Sequence, residues 1–513
     1  MVETVATASV TGLDVCRVRV EVSITRGTPM IQIVGLPQGA VREGRERIRA
    51  AVAQLGLHVP GLRITVNLAP AGVPKHGAAF DLPITVGILA AAGDIPGSRT
   101  RRFGLVGELG LDGSVRAIRG ALPIAIHASR ERDLDGWILP HDNLRETGSV
   151  SGIDIRGAAH LGAVLAFLRG EGDLPTAHDL PPVPAPVDTA DADLSEIRGQ
   201  PLAKRVLEIA AAGGHNVLLR GSPGAGKTTL ARAVPTILPP MSTAEAIEVT
   251  AVHSVAGRLP VDSGLLGRRP FRAPHHTISD AGLIGGGSPP RPGEVSLAHR
   301  GVLFLDELPE FGRRPLESLR QPLEEGCVHV VRVHAAATFP ARFLLAAAMN
   351  PCPCGYLNET EHVCTCDPGA VLRYRSRISG PLLDRFDMRI DVPRLAWKEL
   401  YGDRASESSA IVRDRVCEAR ERAGARLRAE GVAALTNAEM EPRSVRRCCR
   451  TDAASRRLLE RAVDGNGLTA RGYFRVLRLA RTIADLAGRG PITAEDLQEA
   501  IRYRGVMRGA RGV

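Results

Sequence analysis

Aromatic residues are scarce in this chain, where Phe, Trp and Tyr together make up 3% of 513 residues. Single-stranded nucleic acids are often held by stacking their bases on such side chains, so few stacking surfaces of that kind are available. Hydrophobic residues still account for 44% of the chain, and Ala, Val and Leu supply most of them. The composition is therefore typical of a globular protein built from closely packed α/β layers.

Long apolar segments are also absent. No run of about 18 apolar residues occurs, and the N-terminus, MVETVATASV, lacks a basic segment followed by an apolar stretch. We therefore expect a soluble, cytoplasmic protein with no membrane partner. Nine cysteines in such a chain indicate free thiols or metal ligands rather than a disulfide framework.

The chain is too long for a single hydrophobic core, and its residue pattern predicts four segments. Residues 1–170 mix strand-like alternation with helical stretches and are predicted to form an α+β domain. Residues 171–195, rich in Pro, Asp and Ala, are predicted to be a linker. Residues 196–395 open with a helix, a strand, a glycine-rich loop and another helix, as in parallel α/β nucleotide-binding folds. Residues 396–513 have helical apolar spacing and predict a helical domain.

Positive charge is concentrated at the C-terminal end. The net charge is +10, and residues 401–513 alone contain 23 Arg, no Lys and 15 acidic residues. Such a surplus favours an anionic partner such as nucleic acid. An arginine-rich composition would give the same surplus with no partner at all, so charge alone leaves both alternatives open.

A phosphate-binding loop is predicted between a strand and a helix. Its residues are Gly221, Ser222, Pro223, Gly224, Ala225, Gly226, Lys227 and Thr228, followed by Thr229. The glycines allow backbone N–H groups to close around phosphates, Lys227 is expected to reach the β- and γ-phosphates, and Thr228 is expected to bind Mg²⁺. The chain is therefore predicted to bind ATP with Mg²⁺.

Two carboxylates follow a second buried strand pattern. Val302–Leu305 is entirely apolar and leads directly into Asp306 and Glu307. A parallel strand would place both carboxylates beside the phosphate loop. Asp306 is expected to hold Mg²⁺, usually through water, and Glu307 to polarise the attacking water as a general base. A further strand-like run, 343–349, ends at Asn350, whose amide is expected to orient the same water.

Four of the cysteines form two Cys-x-Cys pairs. Cys352 and Cys354 are separated by a short loop from Cys364 and Cys366. This spacing is compatible with four thiolates around a structural Zn²⁺, although it is not the stronger Cys-x-x-Cys form. His362 is a candidate to replace one thiolate, and four reduced cysteines without metal are the alternative.

Three stretches resemble one known family. They are residues 198–200 (RGQ) together with the phosphate loop, residues 271–279 (FRAPHHTIS), and residues 378–385 (ISGPLLDR). They are similar to the Mg-chelatase-like YifB/ComM family of AAA+ ATPases, and the resemblance covers nearly the full length. It implies an α/β fold: a AAA+ P-loop core with a parallel sheet, preceded by an α+β Lon-protease-like domain and followed by a helical lid domain.

The resemblance also implies roles for three polar residues. Asn350 stands at the sensor-1 position of AAA+ proteins. Arg385 stands at the position of the arginine finger, which acts on the ATP of a neighbouring subunit. Arg471 resembles sensor 2 and would contact a γ-phosphate. Whether that nucleotide is bound to its own subunit or to the neighbouring subunit is left open. An arginine that acts across an interface implies a ring of identical subunits, expected to be a hexamer.

Two elements of the family would face the pore of such a ring. One is an insertion in helix 2, for which the segment between Thr229 and Gly301 has room, and the other is a hairpin that includes Arg332–Ala341. A basic set would then touch a phosphate backbone, namely Arg268, Arg269, Arg272, His275 and His276. The alternative for the two histidines is a packed structural role.

The Lon-like resemblance of residues 1–170 raises the question of peptidase activity. Ala79 stands where the family's nucleophilic serine would be, and Leu122 stands where the catalytic lysine would be. Without a hydroxyl nucleophile and its amine base, that acyl transfer has no means to proceed. We therefore expect this domain to bind a protein partner or to serve in assembly.

Two functions remain open after the protease is disfavoured. The resemblance favours a ring-forming ATPase that remodels DNA, in the manner of a ComM-like helicase acting in branch migration during recombination, with branched or single-stranded DNA as its partner. The alternative is a motor subunit of magnesium-chelatase type that remodels a protein partner. Chelatase ATPase subunits are expected to lack the N-terminal Lon-like domain, and its presence here favours YifB/ComM over a true chelatase.

Overall fold

The computed structural model of this chain describes residues 2–131, 133–181, 192–260, 263–332, 335–357, 359, 362–395, 406–466 and 468–504. Part of the predicted linker, at 182–191, and parts of the predicted C-terminal domain, at 396–405, 467 and 505–513, therefore lie outside the described residues.

The N-terminal part is an α+β unit. Its strands are β1 (Val2–Thr11), β2 (Asp14–Thr25), β3 (Met30–Val34), β4 (Arg63–Ala69), β5 (Phe103–Leu105), β6 (Glu108–Leu109), β7 (Val115–Arg116), β8 (Gly136–Pro140) and β9 (Asp154–Ala158). Its helices are α1 (Gly39–Gln54), α2 (Asp81–Ala92), α3 (Gly97–Thr100), α4 (Ala121–Ala128), α5 (Leu144–Thr147) and α6 (Leu161–Arg169).

A mixed sheet organises this unit, with strand order β3-β4-β2-β1-β5-β8-β9. The long β1–β2 hairpin is antiparallel, whereas β5, β8 and β9 run parallel to one another. Val18, Val20 and Val22 of β2 are buried, as the alternating pattern predicts. Helix α2 is buried along almost its whole length, because it lies between this sheet and its neighbouring helices.

The central part alternates strands and helices. Its strands are β10 (Val217–Arg220), β11 (Phe271–Arg272), β12 (Gly285–Gly286), β13 (Arg291–Pro292), β14 (Val302–Leu305), β15 (Cys327–Arg332), β16 (Ala335–Pro340), β17 (Leu344–Met349) and β18 (Met388–Asp391). Its helices are α7 (Pro201–Gly213), α8 (Lys227–Ile237), α9 (Thr243–Ala256), α10 (Asp280–Leu283), α11 (Glu294–Leu297), α12 (Arg313–Ser318), α13 (Arg320–Glu325), α14 (Pro368–Ser376) and α15 (Gly380–Leu383).

A parallel sheet forms the centre of this part, in the order β11-β14-β17-β10-β18. Val302 and Phe304 of β14 pack into one hydrophobic cluster, whereas Leu303 and Leu305 pack into the cluster on the opposite face. Strands buried on both faces are uniformly apolar, which explains the run in the sequence. Because neighbouring strands are parallel, the residues that follow β10, β14 and β17 meet at one edge of the sheet.

Two small hairpins extend from the central fold. The first, β12–β13, interrupts the helical connection between β11 and β14, with α10 before it and α11 after it. The second, β15–β16, precedes β17 and pairs residues 327–332 antiparallel with residues 335–340; residues 333–334 lie outside the described residues. These are the places at which the resemblance implied an insertion and a hairpin.

Helices fill the described C-terminal part. They are α16 (Ser409–Ala429), α17 (Pro442–Cys448), α18 (Ala453–Asn466), α19 (Ala470–Leu486) and α20 (Ala494–Arg504). Val412 and Val416 of α16 and Ile483 of α19 share one hydrophobic cluster with α7, α8 and the sheet. The helical part is therefore packed on the nucleotide-binding fold. No helix in the described part of the chain combines the length and apolar character of a membrane span.

The N-terminal unit touches the central fold at two places. The turn between β1 and β2 meets hairpin β15–β16, where a Cβ atom placed on Gly12 would lie 2.6 Å from Ala337 Cβ. Leu13 packs against the hydrophobic cluster that contains Phe339. At the second place, the backbone N–H of Gly120 donates a hydrogen bond of 3.1 Å to Ser254 Oγ on α9. The hairpin before β17 is thus in contact with the N-terminal unit.

Candidate functional site

The glycine-rich loop lies between β10 and α8, where the sequence predicts it. Gly224 and Gly226 have φ angles of +78° and +84°, a left-handed conformation that disfavours residues with a side chain beyond the α-carbon. Nothing lies within 4 Å of a Cβ placed on either residue, so backbone conformation rather than space requires glycine there. Helix α8 begins at Lys227. Its first N–H groups and its dipole are suited to bind an anion.

Lys227 is held inside this loop. Its ammonium group donates to the backbone oxygens of Gly221 and Ser222 at 2.7 and 2.9 Å, and to Asn350 Oδ1 at 3.1 Å. The side chain is only 8% exposed, and burial lowers its pKa, while the negative charges of Asp306 and Glu307 act in the opposite direction. The three oxygens bonded to this cation are uncharged, and a phosphate chain in the loop would supply negative charge in direct contact with it.

The carboxylates after β14 lie beside the loop. Thr228 Oγ1 donates to Asp306 Oδ2 at 2.7 Å. A hydroxyl and a carboxylate are the hard oxygen ligands that Mg²⁺ prefers, so the donor set at this point fits that ion. Glu307 adopts a φ of +52°, an unusual backbone conformation for a non-glycine residue, and its side chain is 53% exposed. The carboxylates of Asp306 and Glu307 therefore point in different directions, although the two residues are adjacent in the chain.

Asn350 links the end of β17 to the phosphate loop. It follows β17, whose residues are all buried, and its amide oxygen accepts from Lys227. Tyr374, a buried residue of α14, lies beside the backbone of Asn350, and the pKa of its hydroxyl is raised to about 12, mainly by burial. The predicted sensor therefore sits in direct contact with the phosphate loop. The role of Tyr374 could not be read from the sequence, because it comes from another segment.

His276 belongs to this site and not to a separate basic surface. Its Nδ1 lies 3.4 Å from Glu307 Oε2, and its ring centroid lies 4.0 Å from that of His275. The sequence predicted a pore contact or a structural role for this residue, and missed its position beside the proposed general base. The motif FRAPHH was the available signal in the sequence. Only the pairing of β11 with β14 shows that its second histidine, His276, lies beside Glu307.

Two of the arginines predicted to face a pore are engaged within the subunit. Arg269 donates to the backbone oxygens of Pro239 and Arg300, both at 2.6 Å, and pairs with Glu245 at 3.1 Å. Arg272 forms a two-bond contact with Glu294, at 2.6 and 2.8 Å. Arg268 is half-buried in the same segment. Nearby acceptors already use the donors of Arg269 and Arg272 in this conformation, and their contact with a phosphate backbone stays a prediction.

Arg385 lies at the opposite end of the sheet from the phosphate loop. It precedes β18, whereas the loop follows β10, and these two neighbouring strands are parallel. Its side chain is 10% exposed and forms an ion pair with Glu324 of α13. Burial lowers the pKa of Arg385, and the positive charges of Arg475, Arg471 and Arg320 lower it further. Arg385 cannot reach the nucleotide loop of its own subunit from this position.

Arg471 lies on the same side of the subunit as Arg385. It is exposed in the first turn of α19, which packs beside the end of α20. From α20, Arg504 reaches to 4.0 Å of Asp384, the residue before Arg385. Both arginines predicted to act on a γ-phosphate thus stand together, away from Lys227. No local pattern in the sequence indicates this pairing, or Glu324 as the partner of Arg385.

The four clustered cysteines converge after β17. Cys352 Sγ lies 3.4 Å from Cys354 Sγ and 3.7 Å from Cys364 Sγ, and the last two are 3.6 Å apart. The Sγ atom of Cys366 accepts from the backbone N–H of Cys354 at 3.4 Å. All four sulfur atoms lie within 4.8 Å of one another. His362, the predicted substitute ligand, is outside this four-sulfur group and packs against the ring of Tyr356.

The positions compared with a peptidase carry no reactive group. Leu122 is fully buried inside α4, and Ala79 precedes α2, where its carbonyl accepts from the backbone of Gly107. The nearby Lys75 is buried, and its ammonium group donates to the carbonyl of Pro70. A serine–lysine pair is therefore absent from these positions of the N-terminal unit.

Replacing Lys227 by alanine is expected to weaken ATP binding about 100-fold, since two or more charge-assisted hydrogen bonds to phosphate would be lost. Binding of a fluorescent ATP analogue in the presence of Mg²⁺ measures the effect. Lys204→Ala serves as a control, because Lys204 is a lysine of α7 that bonds to Ile197 and Ser406. Equal affinity in Lys227→Ala and the unaltered protein would show that the nucleotide does not lie in this loop.

Three family models match consecutive parts of the chain. "Magnesium chelatase, subunit ChlI" matches residues 193–400, "Subunit ChlI of Mg-chelatase" matches residues 20–143, and "Magnesium chelatase, subunit ChlI C-terminal" matches residues 406–504. The first model covers the phosphate loop, the carboxylates after β14, the four cysteines and Arg385. The third covers Arg471.

Whole-length relatives agree with these matches. The chain is 43% identical over 509 residues to the protein YifB of Salmonella typhimurium, which covers 98% of this chain and 97% of that protein. It is 42% identical over 502 residues to the competence protein ComM of Haemophilus influenzae, covering 97% of this chain and 96% of that protein. With a magnesium-chelatase-type fold, an assembled phosphate loop and full-length identity to both proteins, this chain belongs to the Mg-chelatase-like YifB/ComM family.

Proposed function

We propose that this protein is a ring-forming AAA+ ATPase that couples ATP hydrolysis to the remodelling of DNA. The observation that carries the proposal is the division of the catalytic groups between two ends of one sheet. Lys227, Asp306, Glu307 and Asn350 are assembled at one end, and Arg385 stands at the other. A complete site then needs two subunits, which head-to-tail contacts in a closed ring provide.

Each residue at the loop has a separate task in this mechanism. Lys227 and the N–H groups at the start of α8 bind the phosphates. Thr228 and Asp306 would hold Mg²⁺, which neutralises charge on the β- and γ-phosphates when it is bound. Thr228 is already bonded to Asp306, so both oxygens are positioned before the nucleotide enters. Thr229 continues the helix beside them and completes the predicted binding segment.

Glu307 is proposed to take a proton from the attacking water. Its exposed carboxylate extends from a strained backbone position after β14 and lies near His276. Asn350 is bonded to Lys227 and is proposed to orient the same water through its amide. Since a general base must reach its water directly, the contact with His276 would have to loosen or reorient during turnover.

Arg385 and Arg471 are proposed to act on the nucleotide of the next subunit. They stand together on the face opposite the phosphate loop, so one interface would deliver both guanidinium groups to one γ-phosphate. Positive groups aimed at the transferred phosphate lower the barrier to hydrolysis without being consumed. Formation of the interface would also require Arg385 to leave Glu324. The proposed ring is a hexamer, as the resemblance implies.

DNA is proposed to contact the two hairpins β12–β13 and β15–β16. Arg291 and Arg332 are exposed, one on each hairpin, and a Cβ atom on Gly286 would lie 3.0 Å from the guanidinium of Arg332. The hairpins therefore adjoin and present positive charge together. They replace Arg269 and Arg272 as candidates for contact with phosphates. The arginine surplus of the C-terminal part and the 42% identical competence protein also favour DNA.

A protein-remodelling motor of magnesium-chelatase type is the second candidate. One structural observation favours it: the N-terminal unit rests on hairpin β15–β16 through Gly12 and Leu13. A protein bound to residues 1–170 would therefore lie close to hairpin β15–β16, which we expect to move as ATP is bound and hydrolysed. We propose the division into residues 1–170, 171–195, 196–395 and 396–513 as the working domain boundaries for both candidates.

We further propose that the four cysteines hold a structural Zn²⁺. Zinc bonded to four thiolates at about 2.3 Å in a tetrahedron places neighbouring sulfur atoms about 3.8 Å apart. The observed separations of 3.4, 3.6 and 3.7 Å are close to that value. They are far longer than the roughly 2.05 Å of a disulfide. The donor set of four sulfur atoms therefore fits zinc.

ATP hydrolysis in the presence of a four-way DNA junction tests the proposed function. We expect stimulation by the junction that declines as salt concentration rises, because the hairpin arginines displace counterions from phosphates. Reversing the two charges in Arg291→Glu plus Arg332→Glu is expected to remove most of the stimulation while leaving hydrolysis without DNA intact.

Two further variants provide the background rate and the control for that measurement. Glu307→Gln supplies the background rate, and Arg49→Glu, a charge reversal at an exposed position of helix α1, serves as the control. Hydrolysis that responds to no DNA at either of two salt concentrations would contradict the DNA motor. It would favour a protein partner on residues 1–170 instead.

A further inference from the structure

The loop that carries the four cysteines also lies against the phosphate loop. It runs from the end of β17 to the start of α14, and its first residue is Asn350. A Cβ atom placed on Gly355 would come within 2.6 Å of Pro223 Cδ and 2.7 Å of Pro223 Cγ. Gly355 is itself buried and has a φ of +88°. The backbone of this loop is thus packed directly on the proline of the phosphate loop.

Short covalent connections link the sulfur cluster to that contact. Gly355 follows Cys354 immediately, and Cys352 is two residues after Asn350. The first Cys-x-Cys pair therefore lies in the chain between Asn350 and Gly355, the two residues that contact the phosphate loop. Cys352 is fully buried. The backbone N–H of Gly355 donates to the carbonyl oxygen of Cys352 at 3.0 Å, which closes a tight turn that contains Cys354. The position of this turn therefore depends on where Cys354 Sγ is held.

The other end of the loop is fixed to the same place. Arg375 of α14 donates from Nε and from one terminal nitrogen to the carbonyl oxygen of Pro351, both at 3.2 Å. Cys366 stands directly before Asp367, whose side chain caps α14 by accepting from Ala370 N–H at 2.9 Å. The second pair of cysteines is therefore tied to a helix that returns to the residue after Asn350.

We infer that the cysteine cluster, when it holds zinc, is a brace for the ATP site: it fixes the turn at Gly355 against Pro223 and keeps Asn350 on Lys227. This inference rests on the zinc site proposed above. Without metal, the two cysteine pairs meet through thiol contacts, which are much weaker than zinc–thiolate bonds. The cysteines act as positioning residues and do not touch the nucleotide.

Removal and return of the metal in the full-length protein tests the brace. Zinc is first quantified per chain by elemental analysis, then released with a thiol-directed mercurial and a chelator, and restored with dithiothreitol and Zn²⁺. We expect the metal-free protein to bind a fluorescent ATP analogue about tenfold to a hundredfold more weakly and to regain its affinity with Zn²⁺. Circular dichroism checks that the protein stays folded throughout.

Two substitutions separate positioning from general destabilisation. Cys364→Ser is expected to lose zinc and to show the same weak binding, whereas Cys417→Ser, a lone cysteine of α16, is expected to change neither. Pro223→Ala removes part of the contact from the other side. It should keep its zinc, and metal removal should then weaken its ATP binding less than in the unaltered protein, because coupled contacts are not additive.

The possible failures are distinct. Bound zinc whose removal leaves ATP affinity and turnover unchanged would overturn the brace while the metal site stands. Protein that contains no zinc and takes up none would overturn both the metal site and the brace. Zinc-loaded protein that binds no ATP at all would instead contradict the proposed nucleotide site, on which the brace depends.

Discussion

Arg385→Ala is expected to lower ATP turnover by about three orders of magnitude while nucleotide affinity stays within a few-fold of the unaltered protein. Arginine fingers contribute about 10³ to 10⁵ in rate in related phosphoryl-transfer enzymes. Affinity should be preserved because Arg385 lies at the end of the sheet opposite Lys227. Steady-state hydrolysis and equilibrium binding of an ATP analogue, measured on the same preparation, provide the two values.

Mixing two inactive variants tests whether Arg385 acts across the interface. Lys227→Ala subunits lack ATP binding but retain Arg385, whereas Arg385→Ala subunits bind ATP but lack the finger. A mixed ring contains interfaces with one intact half from each variant, and we expect hydrolysis that neither variant shows alone. Arg49→Ala, an exposed arginine of α1, is the control for a generic loss of charge. Unchanged turnover in Arg385→Ala, or no recovery on mixing of assembled rings, would contradict the finger role.

Glu307→Gln is expected to hold ATP without hydrolysing it. The substitution preserves size but removes the proton acceptor, and loss of a general base lowers rates by about 10² to 10⁴. Binding should persist, because Lys227, Thr228 and Asp306 remain in contact with one another and with the loop. Rapid filtration of radiolabelled nucleotide after a chase gives the lifetime of the bound triphosphate, which should exceed that in the unaltered protein at least tenfold.

Glu310→Gln is the matched control for that measurement. Glu310 stands three residues later and forms an ion pair of 2.7 Å with Arg377, outside the contacts of the phosphate loop. We expect it to hydrolyse ATP at close to the normal rate. Comparable hydrolysis by Glu307→Gln and the unaltered protein would mean that another group activates the water. His276, 3.4 Å from Glu307, would then be the first residue to replace.

Local segments of the fold were predictable because their signals are local. The alternation in β2, the apolar runs of β14 and β17, and the glycine loop before α8 each depend on neighbouring residues and on the periodicity of strands and helices. Asp306 and Asn350 could be assigned to one site because parallel strands deliver their carboxyl ends to one edge. The structure brings both to Lys227 or Thr228, as that rule predicts.

Residues whose roles depend on long-range packing were not predictable in this way. Arg269 and Arg272 were predicted to be free for a phosphate backbone, but Glu245 and Glu294, each more than 20 residues away, already occupy them. For His276 the sequence left a pore contact and a packed structural role open, whereas its Nδ1 lies 3.4 Å from Glu307 Oε2. Ion pairs of this kind leave no periodic pattern, because any acidic residue of the chain could have supplied the partner.

The sequence alone was enough to predict a nucleotide-binding α/β core, the residues of its phosphate loop and the cysteines able to share a metal. Motif order and hydrophobic periodicity are enough to predict these three features, because each feature involves residues that are close in the chain or lie at the ends of adjacent strands. Two arrangements are visible only in the folded chain: Arg385 and Arg471 stand together away from Lys227, and the cysteine loop rests on Pro223. Both arrangements arise from the packing of distant segments across a sheet, whose geometry no short stretch of sequence contains.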